Sequence, residues 1–60
     1  MNSNAEWYIG HALIELLSQD RVVSLFSVID ILKRRLQAGV SSRAEFMDIL
    51  EAIEKLRRSV

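Results

Sequence analysis

Apolar residues recur every three or four positions through three successive segments of this chain, which is the spacing of one face of an α-helix. No segment alternates apolar and polar residues for long enough to compete as a β-strand. The chain has only 60 residues, which is enough for one small core. The pattern therefore predicts an all-α, three-helix fold in a single domain that spans residues 1–60.

Polar residues at the ends of the apolar segments predict where helices one and two begin. Ser3 and Glu6 have the spacing of a capping box, in which each side chain accepts a bond from the other residue's backbone N–H. This box opens a first helix at about 3–18. A turn-prone Ser-Gln-Asp sequence follows, and Asp20 is the expected N-cap of a second helix at about 21–38.

The end of helix two and the start of helix three are marked in the same way. Gly39 suits the left-handed position that commonly closes a helix. Ser42 and Glu45 repeat the capping-box spacing and predict a third helix at about 42–58.

Helices one and two carry apolar residues around more than half of their circumference. The polar strip of helix one is limited to Tyr8, His11, Glu15 and Ser18. Helix three has an ordinary single stripe, formed by Phe46, Ile49, Leu50, Ile53, Leu56 and Val60. In a lone three-helix unit each helix has a wide solvent-exposed face. The excess apolar surface of the first two helices therefore needs to be buried against another surface.

That excess surface predicts a homodimer. Small chains without a disulfide or a metal commonly depend on oligomerisation, and this chain has no cysteine. Gly10, within helix one, permits the close crossing of another helix. A tetramer is the alternative assembly. The expected interface residues are Ile9, Leu13, Leu16, Leu17, Leu25, Phe26, Ile29 and Leu32.

His11 and Glu15 are the first candidate site, because residues four apart on a helix can meet. A metal ion would need further ligands, and a solvated His–Glu pair is the simpler interpretation. The serines lie near caps or on helix surfaces, so the parts of a nucleophilic catalytic site are missing. We therefore expect no catalysis, no cofactor, no metal and no small-molecule substrate.

Two charged groups on the helices are candidate binding sites. The acidic residues Asp48, Glu51 and Glu54 form either a solvated face or a docking ridge for a protein partner. The basic residues that could contact nucleic acid are Lys33, Arg34, Arg35, Arg57 and Arg58. Cations are also favoured at helix C-termini whatever the function, and antiparallel packing of helices two and three would keep the two basic clusters apart.

The overall charge and hydropathy bound the classes of function. Eight basic and eight acidic residues cancel, so a broadly cationic nucleic-acid coat is not indicated. The longest uncharged run of the helical segments is far too short for a membrane span, and the first residues lack the pattern of a signal peptide. These features predict a cytoplasmic protein with no membrane partner.

The order of these features resembles a known family. Glu6-x-x-x-Gly10-x-Ala12 is followed by Leu13, Leu16 and Leu17, a polar break with Asp20, a second apolar helix, and a charged third helix that contains Asp48-Ile49-Leu50-Glu51 and Ile53. This is similar to the YmgB/AriR family of small enterobacterial regulators of biofilm formation and acid resistance, also called two-component-system connector proteins. The resemblance implies an all-helical homodimer that contacts signalling proteins of a phosphorelay without catalysis, with non-specific DNA binding as a further activity.

Three hypotheses follow from the sequence. The leading one is a small dimeric regulator that acts by protein–protein contact. The second is a dimeric regulator that binds DNA weakly and without sequence preference, through its basic helix ends. The third is a pure oligomerisation or docking module.

Overall fold

The computed structural model describes residues 4–59, which form three α-helices joined by short loops. They are α1 (Ala5–Ser18), α2 (Leu25–Ala38) and α3 (Arg43–Arg58). Each helix packs against both of the others. The prediction of an all-α, three-helix fold is confirmed, and the described part of the chain contains no strand. None of these helices is long and apolar enough to cross a membrane.

The C-terminus of α1 is closed by an aspartate in a left-handed conformation. Asp20 has φ 59°, its N–H donates to the carbonyl of Leu17, and the N–H of Arg21 donates to the carbonyl of Leu16. These two bonds form a Schellman motif, whose left-handed position is usually taken by glycine. The prediction that Asp20 caps the second helix is wrong, because this residue completes the end of the first helix instead.

The start of α2 is set by two serines. Ser24 Oγ accepts a hydrogen bond from the N–H of Ser27 at 3.1 Å, and Ser27 Oγ accepts one from the N–H of Ser24 at 2.8 Å. This reciprocal arrangement is a capping box with serine in place of the usual Glu or Gln. The helix therefore begins at Leu25, four residues later than predicted, and residues 21–24 lie in the loop.

The loop between α2 and α3 follows the predicted plan with two differences. Gly39 has φ 102° and ψ 139°, so it uses the freedom of glycine but lies outside the left-handed helical region that we predicted. Ser42 Oγ accepts from the N–H of Glu45 at 3.1 Å, as predicted. The carboxylate of Glu45, however, accepts from the backbone N–H and the hydroxyl of Ser41, at 3.0 and 2.8 Å.

The N-terminal cap predicted for α1 cannot be compared, because Ser3 lies outside the described residues. The helix begins after Asn4, which makes no side-chain capping bond.

The core lies along one stripe of each helix. Leu16, Leu32 and Ile49 are the largest fully buried side chains, one from each helix. The other buried residues are Ala5, Tyr8, Ala12, Val28, Ile29, Ile31, Ala52 and Ile53.

Two predictions about the helix faces need correction. The placement of Tyr8 on a polar strip is wrong, because its ring is buried in the core stripe of α1. Within the stripe predicted for α3, Ile49 and Ile53 are buried, whereas Phe46 and Leu50 stay more than a third exposed. Val60, the last member of that stripe, lies outside the described residues.

Replacing Asp20 by glycine should stabilise the protein. A left-handed non-glycine residue costs roughly 1 kcal/mol, and an acidic side chain at a helix C-terminus opposes the helix dipole. We expect Asp20→Gly to raise the free energy of unfolding by about 0.5–1 kcal/mol and Asp20→Ala to lower it, as measured by urea denaturation. Equal stability of the two variants would contradict the role assigned to this residue.

Candidate interaction surfaces

One apolar exposed surface is the side of α1 that points away from the core. Trp7, Gly10, Ile14 and Leu17 lie there at intervals of three, four and three residues, and we call them the outer face of α1. The side chains of Trp7, Ile14 and Leu17 are 53%, 63% and 66% exposed. A Cβ placed on Gly10 would meet nothing within 4 Å. The helix thus has a second apolar face with a shallow notch at its centre.

Aromatic contacts hold Trp7 at one end of the outer face. Its ring lies 3.9 Å from the ring of His11, tilted by 38°, and meets the ring of Tyr8 edge-on at 4.9 Å. Because Tyr8 is buried, this contact joins the exposed indole to the core.

The candidate site at His11 and Glu15 has other contacts in the structure. His11 stacks on Trp7, while the carboxylate of Glu15 accepts a bond from Gln19 at 3.5 Å. Among residues 4–59, no group of three His, Cys, Asp or Glu side chains is placed to hold a metal ion.

The residues expected at a dimer interface are divided between the core and the surface. Leu16, Ile29 and Leu32 are buried within the single chain. Ile9, Leu13 and Leu25 are half-buried against the core, and only Leu17 and Phe26 are largely exposed. Of the expected interface residues, Leu17 and Phe26 are therefore the two that present most apolar surface outside the core.

A second group of exposed apolar side chains lies away from that face. Val22, Val23 and Phe26 occupy the α1–α2 loop and the first turn of α2, and the side chain of Phe26 is 75% exposed. Phe46, Met47 and Leu50 are partly exposed along the first half of α3. Phe26 and Lys33 are seven residues apart and so share one side of α2.

The side of α2 that carries Lys33 forms one wall of a groove with α3. This α2–α3 groove has a volume of about 330 Å³ and is lined by Lys33, Leu36, Leu50, Ile53, Glu54 and Arg57. Its floor is apolar and its charged side chains are of both signs. One residue from each predicted basic cluster thus lines the same groove, whereas antiparallel packing was expected to keep the clusters apart.

The other basic residues of α2 line a different groove, between α1 and α2. This α1–α2 groove has a volume of about 250 Å³ and is lined by Glu15, Gln19, Arg21, Ile31, Arg34 and Arg35. Arg34 pairs with Asp30 at 3.1 Å, and the guanidinium of Arg35 lies 5.5 Å from the centre of the Tyr8 ring. The Lys33-Arg34-Arg35 cluster is therefore divided between the two grooves. Arg58, from the other cluster, donates to the backbone carbonyl of Glu54.

The predicted acidic ridge turns around α3 as it runs along the helix. Asp48 is half-buried, and after burial and Glu45 its carboxylate adds to the raising of the pKa of Tyr8. Glu51 is exposed, and Glu54 lines the α2–α3 groove beside Arg57. Of the three ridge residues, Glu54 is therefore the one that the α2–α3 groove presents.

The start of α3 and the buried tyrosine are linked electrostatically. Burial, followed by the nearby carboxylate of Glu45, raises the pKa of Tyr8, while Arg35 acts in the opposite direction. Bonds from the backbone and the hydroxyl of Ser41 lower the pKa of Glu45, and Arg35 adds to this effect. Glu45 therefore stays ionised where it caps α3.

The outer face of α1 was only partly visible in the sequence. The apolar excess on helix one was clear, and Leu17 was expected at an interface. The 3-4-3 spacing of Trp7, Gly10, Ile14 and Leu17 was the signal that could have separated this face from the core stripe. It was obscured because Tyr8 was placed on the polar strip, so the core stripe of helix one could not be separated from its other apolar residues.

The depressed pKa of Glu45 should make stability fall in acid. Its ionised form is favoured in the folded state, so this contribution is present above the ordinary pKa of about 4.5 and is lost as pH falls through the lower, folded-state value. We expect Glu45→Gln to be less stable than wild type at pH 7 and to lose less stability from about pH 5 downward. Ser41→Ala removes one of the hydrogen-bond donors to Glu45. Its loss of stability in acid should lie between those of wild type and Glu45→Gln. Parallel pH profiles for Glu45→Gln and wild type, measured by urea denaturation, would be the contrary result.

Comparison with known proteins identifies no relative. The chain matches no protein-family model, no curated protein and no solved structure. Its function is therefore inferred from the surfaces that residues 4–59 present: the outer face of α1 and the two grooves beside α2.

Proposed function

We propose that this chain is a non-enzymatic regulatory protein that acts by protein–protein contact and works as a homodimer in the cytoplasm. The observation that carries the proposal is the outer face of α1. Trp7, Ile14 and Leu17 stay exposed there although the three helices have built a core on the opposite side. Apolar side chains grouped on one face of a small protein mark an interaction site.

The α2–α3 groove supplies a second surface, which suits a different partner. Leu36, Leu50 and Ile53 form an apolar floor, and Lys33, Arg57 and Glu54 provide charges of both signs. A protein segment that inserts an apolar side chain and carries complementary charges would fit this groove. Glu54, from the predicted docking ridge, lines the groove. Glu51 lies one turn before it on α3, so these two carboxylates are the residues to test.

The resemblance to the YmgB/AriR family suggests a biological setting for this proposal. The chain would act as a connector in bacterial signal transduction, with effects on biofilm formation or acid resistance, and its partner would be a protein of a phosphorelay. A pure oligomerisation or docking module is the simpler alternative. Such a module would form the same homodimer and bind no signalling protein.

Reversing the charges of Glu51 and Glu54 should weaken partner binding. Proteins retained by the immobilised wild-type chain would be identified by mass spectrometry, and each would then be titrated in purified form. We expect Glu51→Lys/Glu54→Lys to weaken binding of the true partner at least tenfold. The introduced lysines would face the partner's basic side chains, which complement the carboxylates of the wild-type chain. Asp30→Lys, a charge reversal on a different helix, α2, is the matched control. Retention of the chain itself and of nothing else would favour the docking module.

Nucleic-acid binding is the second candidate, and the position of Lys33 and Arg57 in one groove favours it. Against it, Asp30 pairs with Arg34 and Glu54 lies beside Arg57, so acidic groups interrupt the basic surface. DNA affinity comes largely from the contacts of cations with phosphates and therefore falls steeply with salt.

We expect a fluorescent 30-base-pair duplex to show no binding tighter than about 10 µM by anisotropy at about 150 mM salt. Any binding seen at about 50 mM salt should be lost when the salt concentration is raised. Micromolar binding at the higher salt concentration that disappears in Lys33→Glu/Arg57→Glu would instead establish the nucleic-acid function. Asp30→Lys again serves as the control, since it should not weaken a contact with phosphates.

A further inference from the structure

We infer that the outer face of α1 binds the same face of a second copy, with the two helices antiparallel and Gly10 of each chain facing the partner's Ile14. This inference rests on the homodimer of the proposed function and specifies which surface forms it and in which register. It follows from the spacing, the sizes and the exposure of four residues.

The spacing of the four residues is symmetrical along the helix. Trp7 and Leu17 lie five residues on either side of the level of Ala12, and Gly10 and Ile14 lie two residues on either side. A two-fold axis at that level pairs Trp7 with the partner's Leu17, and Gly10 with the partner's Ile14. In a two-fold dimer each such contact occurs twice, so one self-complementary face is sufficient.

The sizes of the paired residues agree with the antiparallel arrangement. The notch at Gly10, where a Cβ would meet nothing within 4 Å, receives the branched side chain of the partner's Ile14. Trp7, the largest side chain, meets a leucine. A parallel pair would place tryptophan against tryptophan and leave a gap between two glycines. Facing large and small residues pack more tightly than facing residues of equal size.

The exposed area is sufficient for a stable dimer. Trp7, Ile14 and Leu17 are 53–66% exposed. These fractions leave roughly 350 Å² of apolar side-chain surface per chain, or about 700 Å² for two chains. Since about 65% of a homodimer interface is apolar, the full interface would bury about 1,100 Å². A specific interface needs about 1,000 Å² or more, so a second copy can cover the face.

Interchain disulfides provide the direct test of the register, because the chain has no cysteine of its own. In the antiparallel pair the Cα atoms of residue 10 and the partner's residue 14 would lie about 4–6 Å apart, within disulfide range. Two residues 10, or two residues 14, would be displaced by a further 6 Å or so along the axis and lie outside it.

We therefore expect a mixture of Gly10→Cys and Ile14→Cys chains to form a covalent dimer on mild oxidation. Each variant alone should form little, as should a mixture of either with Gln37→Cys, which lies on the exposed side of α2. Efficient cross-linking of Gly10→Cys with itself would overturn the antiparallel register. Absence of cross-linking in the mixture, in a sample that light scattering shows to be dimeric, would overturn the inference and leave the homodimer standing.

Gly10→Ala gives a second test, in which the fold and the dimer respond in opposite directions. Alanine is a better helix former than glycine, and its Cβ meets no atom of the same chain. In dilute solution, where the monomer dominates, the midpoint of thermal unfolding should rise by about 4 °C. The same methyl group fills the notch for the partner's Ile14, so the dimer dissociation constant should rise about tenfold or more.

Two results would contradict these assignments, one concerning Gly10 and one concerning the homodimer as a whole. An unchanged or tighter dissociation constant in Gly10→Ala would overturn the assignment of Gly10 to the interface. A wild-type chain that remains monomeric at about 100 µM by light scattering would overturn both the inference and the homodimer of the proposed function.

Discussion

A three-helix domain of this size can bury only one face of each helix, and this constraint governs both the core and the surface of the protein. In α1 the buried face contains Ala5, Tyr8, Ala12 and Leu16. Its two alanines let α2 and α3 approach the helix closely. Ile9 and Leu13 pack against the edge of that core. Trp7, Ile14 and Leu17 have no place in it, so they form a second face that points into solvent. The proposed assembly follows from this surplus.

Side-chain hydrogen bonds over a few residues decide where the helices begin and end. Ser24 and Ser27 open α2, and Ser41, Ser42 and Glu45 open α3. Asp20 uses a left-handed conformation to close α1. These caps keep the loops short, and short loops hold the three helices in mutual contact.

The packing of the helices also determines which charges meet. Lys55 of α3 lies 3.7 Å from Glu6 of α1, and Lys33 of α2 shares a groove with Arg57 of α3. Arg35 reaches over the ring of Tyr8, and it adds to the lowering of the pKa of Glu45 that the hydrogen bonds from Ser41 cause. The solvent-exposed ion pairs contribute little to stability, because water screens them. The charged side chains that line the grooves give each one its own charge pattern: Lys33, Glu54 and Arg57 in the α2–α3 groove, and Glu15, Arg21, Arg34 and Arg35 in the α1–α2 groove.

The α-helical class, the number of helices and the end of α2 at Ala38 could be predicted from the sequence, because apolar spacing and a glycine after a helix are local signals. The start of α2 could not, since Asp20 and Ser24 are both plausible caps and only the closure of α1 by Asp20 decides between them. Likewise, the sequence shows that α1 has too much apolar surface but does not show which residues are buried.

Only the tertiary structure decided that Tyr8 belongs to the core and that Trp7, Gly10, Ile14 and Leu17 form the face left outside. The physical reason is that burial depends on the direction from which the other two helices approach α1. That direction is set by contacts between residues far apart in the sequence. The sequence by itself determined an all-α chain with more apolar helix surface than one core can use, and the packing determined where the surplus lies.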